Sequence, residues 1–218
     1  MGDEYIDDFA IDLGEWFQAH EDEVEKNLKR YFFGVGGPPS NGRHFERFSA
    51  MSDPNRFVAT DVLAVEALSI TVPPSLAANL FDIQLDQFNS LLRQIPADKD
   101  IWEVSDRDLD LGSPAAHLQY RLEGLPRIGP TASKLIASKL MASKRPRLIP
   151  VIDTLVSELQ QLRGGEFWLP MRNQLADPER RKKIADVVSC APDGVTLLRR
   201  IDVAVWMHVK AAAREATS

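Results

Sequence analysis

Apolar residues recur every three or four positions along most of this chain, and nowhere do they alternate for long. Phe9, Leu13, Trp16 and Phe17 form the first stripe, with acids between them. Val24 to Phe33 forms the second, which runs out in Gly34-Val35-Gly36-Gly37-Pro38-Pro39-Ser40-Asn41-Gly42. Such a density of glycine and proline predicts a loop. It is not read as a phosphate cradle, because no Gly-Lys-Ser/Thr follows and two prolines block a helix start. Thr60 is placed to cap a helix over Asp61 to Leu68. Ser75 is placed to cap another over Leu76 to Ile95, with Leu76, Leu80, Ile83, Phe88, Leu91 and Leu92 on its apolar side. Ser113-Pro114 and Asp177-Pro178-Glu179 share one signature, an N-cap followed by proline at the first helical position. The second of these opens a helix over Arg180 to Cys190. A last amphipathic helix is predicted over Val195 to Glu215, through Leu198, Ile201, Val205 and Val209. Only Leu148 to Ile152 would suit a strand, so the predicted class is all-α.

A chain of 218 residues, 44% hydrophobic, can bury a real core as one helical domain. Its expected parts are an N-terminal lobe over about residues 1–110, a second lobe over about 111–190 and a C-terminal helix over about 195–216. No apolar run approaches a membrane span, and Met1-Gly2-Asp3-Glu4 lacks the order of a secretory signal. The single cysteine, Cys190, excludes an intramolecular disulfide and a multi-cysteine zinc site. Cys190 itself reads as a small buried hydrophobe. A reducing, cytoplasmic setting is therefore expected. His20, His44, His117 and His208 show no ligand-like spacing, so no catalytic metal is expected.

Charge changes this picture. The formal net charge is −6, which argues against nucleic acid, but the distribution is uneven. Acids recur from Asp3 to Glu25 with no Lys or Arg among them. From Gly124 to Ile152 the reverse holds: Arg127, Lys134, Lys139, Lys144, Arg145 and Arg147 occur with no acid. An acidic N-terminal arm that docks on a basic partner, or folds over the basic stretch, is one expectation.

The basic stretch coincides with a hairpin pattern. One helix ends at Gly124, a tight turn covers Leu125 to Gly129, and a second helix starts at Pro130. Leu125 and Ile128 are spaced to plug the gap between the helices, and Ala132 is small enough to let them approach. Gly129 leaves backbone N–H groups open at a helix N-terminus, where donors and the helix dipole suit a phosphate oxygen. An ordinary αα-hairpin with a proline turn has the same outline. The order of Leu125, Pro126, Ile128, Gly129 and Ala132 resembles the helix-hairpin-helix motif of the DNA glycosylase superfamily, over roughly Gly112 to Leu162. Arg127 departs from it, standing where the family has its first glycine.

The resemblance implies a two-lobed helical fold, double-stranded DNA (damaged or modified) as partner, and backbone contacts from Arg127, Ile128, Gly129, Thr131, Lys134, Lys144, Arg145 and Arg147. It allows a monovalent cation at the hairpin and implies no other cofactor. Ile152-Asp153-Thr154 resembles the family's hydrophobic-Asp-Thr segment, which makes Asp153 the catalytic carboxylate. An ionised carboxylate stabilises the cationic sugar formed as a base–deoxyribose bond breaks. Asp153 is equally well placed as an N-cap. The lyase lysine of bifunctional relatives would fall near Thr131, so a monofunctional enzyme is implied. The stretch Ala142 to Asp153 is also similar to an uncharacterised actinobacterial family.

Arg43 and Glu46, with Asp61, are candidates for a shared pocket, although pairing that pins a loop is the simpler reading. Trp102 and Trp168 flank loops and are the aromatic candidates for stacking on an extruded base. Tyr120, Phe167 and Trp206 are further aromatics, of which Trp206 reads as core. Three functions stay open: a monofunctional glycosylase, an inactive DNA-backbone-binding module, and a helical protein-interaction domain.

Overall fold

In the computed structural model, residues 11–125, 130–151 and 168–215 are described. Among them no strand occurs, and the class is all-α. The helices are α1 (Leu13–Ala19), α2 (Glu21–Phe33), α3 (Phe45–Ala50), α4 (Ala59–Ala67), α5 (Pro74–Ala78), α6 (Leu85–Leu92), α7 (Pro114–Glu123), α8 (Pro130–Lys144), α9 (Trp168–Ala176), α10 (Pro178–Val187) and α11 (Leu197–Glu215). Of Leu148 to Ile152, the stretch suited to a strand, the described residues Leu148 to Val151 are turn, bend and coil.

Local chemistry explains the well-predicted ends. The Ser113 hydroxyl accepts from Ala116 N at 3.1 Å, and Asp177 accepts from Glu179 N at 2.9 Å, each ahead of a proline at the start of its helix. Helix α2 stops at Gly34, whose φ of 75° is a left-handed cap open to glycine. Three expectations fail, the first being Ser75, which lies inside α5 while Pro73 holds the cap position. Thr60 does not cap α4: Val58 holds that position, and Asp61 reaches back from the third helical residue to accept from Val58 N at 2.7 Å. The helix expected over Leu76 to Ile95 is broken by a π-turn over Asn79–Ile83, where the Asn79 carbonyl accepts from Gln84 N.

One apolar core runs from Leu13 and Phe17 through Leu28, Leu80, Phe88 and Leu140 to Val205. Helix α8 lies at its centre and is buried on every side from Ile136 to Lys144. Helix α7 packs along it, α3 and α4 cross it, and α11 packs on α2. Small residues Ala137, Ser138, Ala142 and Ser143 let these neighbours approach α8 closely. Two described acids of the N-terminal segment pair with a helix late in the chain. Asp12 pairs with Arg180 at 2.7 Å and Glu15 with Lys183 at 2.8 Å, which ties α1 to α10. Among the described residues no helix is long and apolar enough to cross a membrane.

Candidate functional site

A cavity of about 350 Å³ opens where α3, the end of α8 and the start of α11 meet. Phe45, Ala142, Ile149, Val151 and Leu198 give it apolar walls. Glu46, Ser49, Ser143, Lys144 and Arg199 supply the polar groups. A mostly apolar cleft with a few convergent polar groups has the ordinary make-up of a small-ligand site.

Two buried ion networks shape it. In the first, Lys144 Nζ pairs with Asp61 Oδ2 at 2.5 Å, with both side chains fully buried. The same ammonium donates to the carbonyls of Asp53 and Arg56 at 2.8 and 2.6 Å, and to the Ser52 hydroxyl. Ser52 in turn donates to Asp61 Oδ1 at 2.7 Å, so every strong group has a partner. Burial still draws the Lys144 pKa below its ordinary 10.5, outweighing the attraction of Asp61.

In the second network, Arg199 Nε donates to Glu46 Oε1 at 2.8 Å. Its other nitrogens reach Asp202, the Tyr31 hydroxyl at 2.6 Å and the Gly42 carbonyl at 3.3 Å. Burial alone would depress the Arg199 pKa; Tyr31, Asp202 and Glu46 more than reverse it, so the guanidinium is held charged. Burial pushes the Tyr31 phenol above its ordinary 10.0. Gly42 belongs here because a Cβ would collide with the Tyr31 hydroxyl. Glu46 Oε2 is shielded from solvent and has no hydrogen-bond partner among the described residues. The result is a carboxylate fixed through one oxygen by Arg199, on a residue that lines the cavity.

The structure sorts the sequence candidates unevenly. Arg127, Ile128, Gly129 and Asp153 lie outside the described residues. Thr131 falls in the first turn of α8, and Lys134, one turn on, is exposed. Lys144 and Arg145, expected on phosphates, are interior. Arg145 is 1% exposed and donates to the carbonyls of Leu92, Ile95, Pro54 and Lys144. Its burial pulls the guanidinium pKa down to about 10. Both cations are consumed by loop carbonyls and Asp61 and do not face a duplex. Arg147 reaches the surface, where Asp100 takes it through both carboxylate oxygens.

Of the four pocket candidates, only Glu46 lines this cavity. Its partner is Arg199 rather than Arg43, which is exposed beside His44. Trp102 lies beneath Arg181, 4.9 Å from the ring centroid, and Trp168 is buried in the core. Tyr120 is exposed and Trp206 packs partly buried against the core beneath Lys210. Cys190 is partly buried against the core, where burial raises its thiol pKa.

Sequence reasoning missed Phe45, Ser143 and Arg199. Only Arg199 left a signal, an Arg–Asp pair at i and i+3 on the inner face of an amphipathic helix.

Comparison with curated proteins and with solved structures returned no match. A family model described as a family of unknown function, DUF6308, matches residues 24–209, and the chain belongs to that family.

Proposed function

We propose that the chain binds duplex DNA at the connection between α7 and α8 and takes one extruded base into the cavity beside Glu46. Asp153 serves as the carboxylate for hydrolysis of the base–deoxyribose bond. The observation that carries this reading is a mostly apolar cavity of about 350 Å³ with the Glu46 carboxylate among its few polar lining groups. A nucleobase edge offers N–H donors for the Glu46 carboxylate once that side chain turns into the cavity, and Phe45, Ile149 and Leu198 offer apolar contact to the faces of the base. Val151 is in the same wall, and Asp153 follows it by two positions in the chain. In the reaction the glycosidic bond breaks with its electrons on the leaving base, water adds to the sugar carbon, and the base leaves protonated. A carboxylate near the sugar lowers the barrier by opposing the positive charge that develops there.

A second reading, a pocket-bearing helical protein that binds no DNA, is favoured by one observation. Lys144 and Arg145 are interior and Arg147 is paired, so the basic stretch presents fewer free cations than its composition promises.

Fluorescence anisotropy at several salt concentrations separates the readings, with one intact duplex and one carrying a stable abasic-site analogue. The proposal expects a preference for the abasic duplex, and excision that Asp153→Asn abolishes while binding persists. Equal, salt-sensitive affinity for both duplexes would remove the base-extrusion step. No affinity for either at low salt would leave the second reading.

A further inference from the structure

His20, Glu23 and His208 meet at the corner where α1, α2 and α11 pack, although His208 is far from the other two in sequence. His20 closes α1 and precedes α2. Its Nδ1 lies 2.8 Å from the Trp16 carbonyl and donates to it, which leaves Nε2 as the nitrogen that can meet a metal. Glu23 stands in the first turn of α2, where the helix dipole favours a carboxylate. His208 comes across from α11 with Nδ1 2.9 and 3.1 Å from the two Glu23 oxygens. One ligand atom from each residue lies within 4.8 Å of the others.

We infer that His20, Glu23 and His208 form a binding site for a divalent transition metal of the zinc class. Two imidazoles and one carboxylate are a donor set for zinc and its neighbours, whereas calcium and magnesium take oxygen. Bond lengths of about 2.0–2.2 Å put tetrahedral ligand atoms about 3.3 Å apart, so atoms now within 4.8 Å of one another have to close by no more than about 1.5 Å. Three protein ligands with partly exposed side chains leave a coordination position open to solvent.

The surroundings fit a cation better than they fit an ion pair alone. A Glu23–His208 pair gives no reason for a second imidazole with its ring centroid 5.1 Å from the first. Trp16 stacks on His20 at 4.5 Å and meets His208 edge-on at 5.2 Å, which holds both rings in place. The acid-rich N-terminal segment, with Glu21, Asp22 and Glu25 near the site in sequence, adds a field that attracts a cation. A bound metal would clamp the N-terminal corner to the C-terminal helix.

The test is isothermal titration of Zn²⁺ into the full-length, tag-free chain after chelator treatment, alongside His20→Ala, Glu23→Gln, His208→Gln and the control His117→Ala. Thermal unfolding is followed with and without the ion, and Co²⁺ absorption reports the coordination geometry. The inference expects one ion per chain, binding at least about tenfold weaker in each site variant, unchanged binding in the control, and a Tm raised by zinc only where the site is intact. Folding of each variant is checked by circular dichroism, and Glu23→Gln keeps the shape of the site if a histidine variant unfolds. Zinc affinity that is the same in the folded site variants as in the parent, or no stoichiometric binding by the parent, overturns it.

Discussion

Helix α8 carries Lys134, Lys139 and Lys144 in 15 residues, and helix α10 carries Arg180, Arg181, Lys182 and Lys183 in 10. The two segments look alike as basic runs, yet the chain uses them in opposite ways. In α10 only Ile184 and Val187 are buried, and the cations lie over the outside, where Arg180 and Lys183 meet the acids of α1. In α8 the residues between the lysines are alanine, serine, leucine, isoleucine and methionine on every side, so the helix sinks into the centre. Lys139 and Lys144 go in with it, and Lys134 near the N-terminal end stays out. An acid-free basic run set among small and apolar residues thus signals interior cations as readily as a phosphate-binding face.

The largest effect is expected where that contrast is strongest. Lys144→Met leaves Asp61 charged and unpaired in the interior and should cost about 3–5 kcal/mol in urea unfolding. Adding Asp61→Leu should return only part of the loss, because it removes the uncompensated charge but leaves Val58 N and the carbonyls of Asp53 and Arg56 without their partners. A double variant no more stable than the single one would contradict this. Next in size is the local cap of α10: Asp177→Ala removes acceptors for two backbone donors and should cost about 1 kcal/mol.

A smaller effect depends on pH. Because burial raises the Tyr31 phenol above 10.0, the folded chain keeps a proton there that the unfolded chain releases. Stability from this group is complete below pH 10 and falls as the pH rises past that value. Urea midpoints measured at about pH 9 and about pH 11 should fall by less in Tyr31→Phe than in the parent. The smallest effect belongs to the outside of α10. Lys183→Ala should leave the unfolding midpoint unchanged within error, since an exposed pair with Glu15 gains little in water.

The parts of the fold legible in sequence were those governed by neighbours a few positions apart. Ser113-Pro114 and Asp177-Pro178 act within one turn, and the stripe of Leu13, Trp16 and Phe17 needs only helical periodicity. The break at Asn79–Ile83 was not legible, because the apolar spacing reads through a π-turn as if the helix continued. Glu46 is a pocket candidate in the sequence and lines the cavity, but its partner Arg199 lies 153 positions away, and the local pattern there pairs Arg199 with Asp202 and not with Glu46. The imidazoles of His20 and His208 looked scattered for the same reason; the packing of α2 on α11 brings them together. Lys144 and Arg145 were misread because charge was counted without asking which residues shared their helix.

A base extruded into the cavity beside Glu46 has to pass the rim of that cavity, so a bulky side chain there should block it. Ala50 is exposed and lines the cavity, so Ala50→Trp fills the opening without disturbing either ion network. The account predicts that this variant, folded as the parent by circular dichroism, binds an intact duplex as before but loses preference for the abasic analogue. A variant that keeps the full preference would place the extruded nucleotide elsewhere and contradict the account.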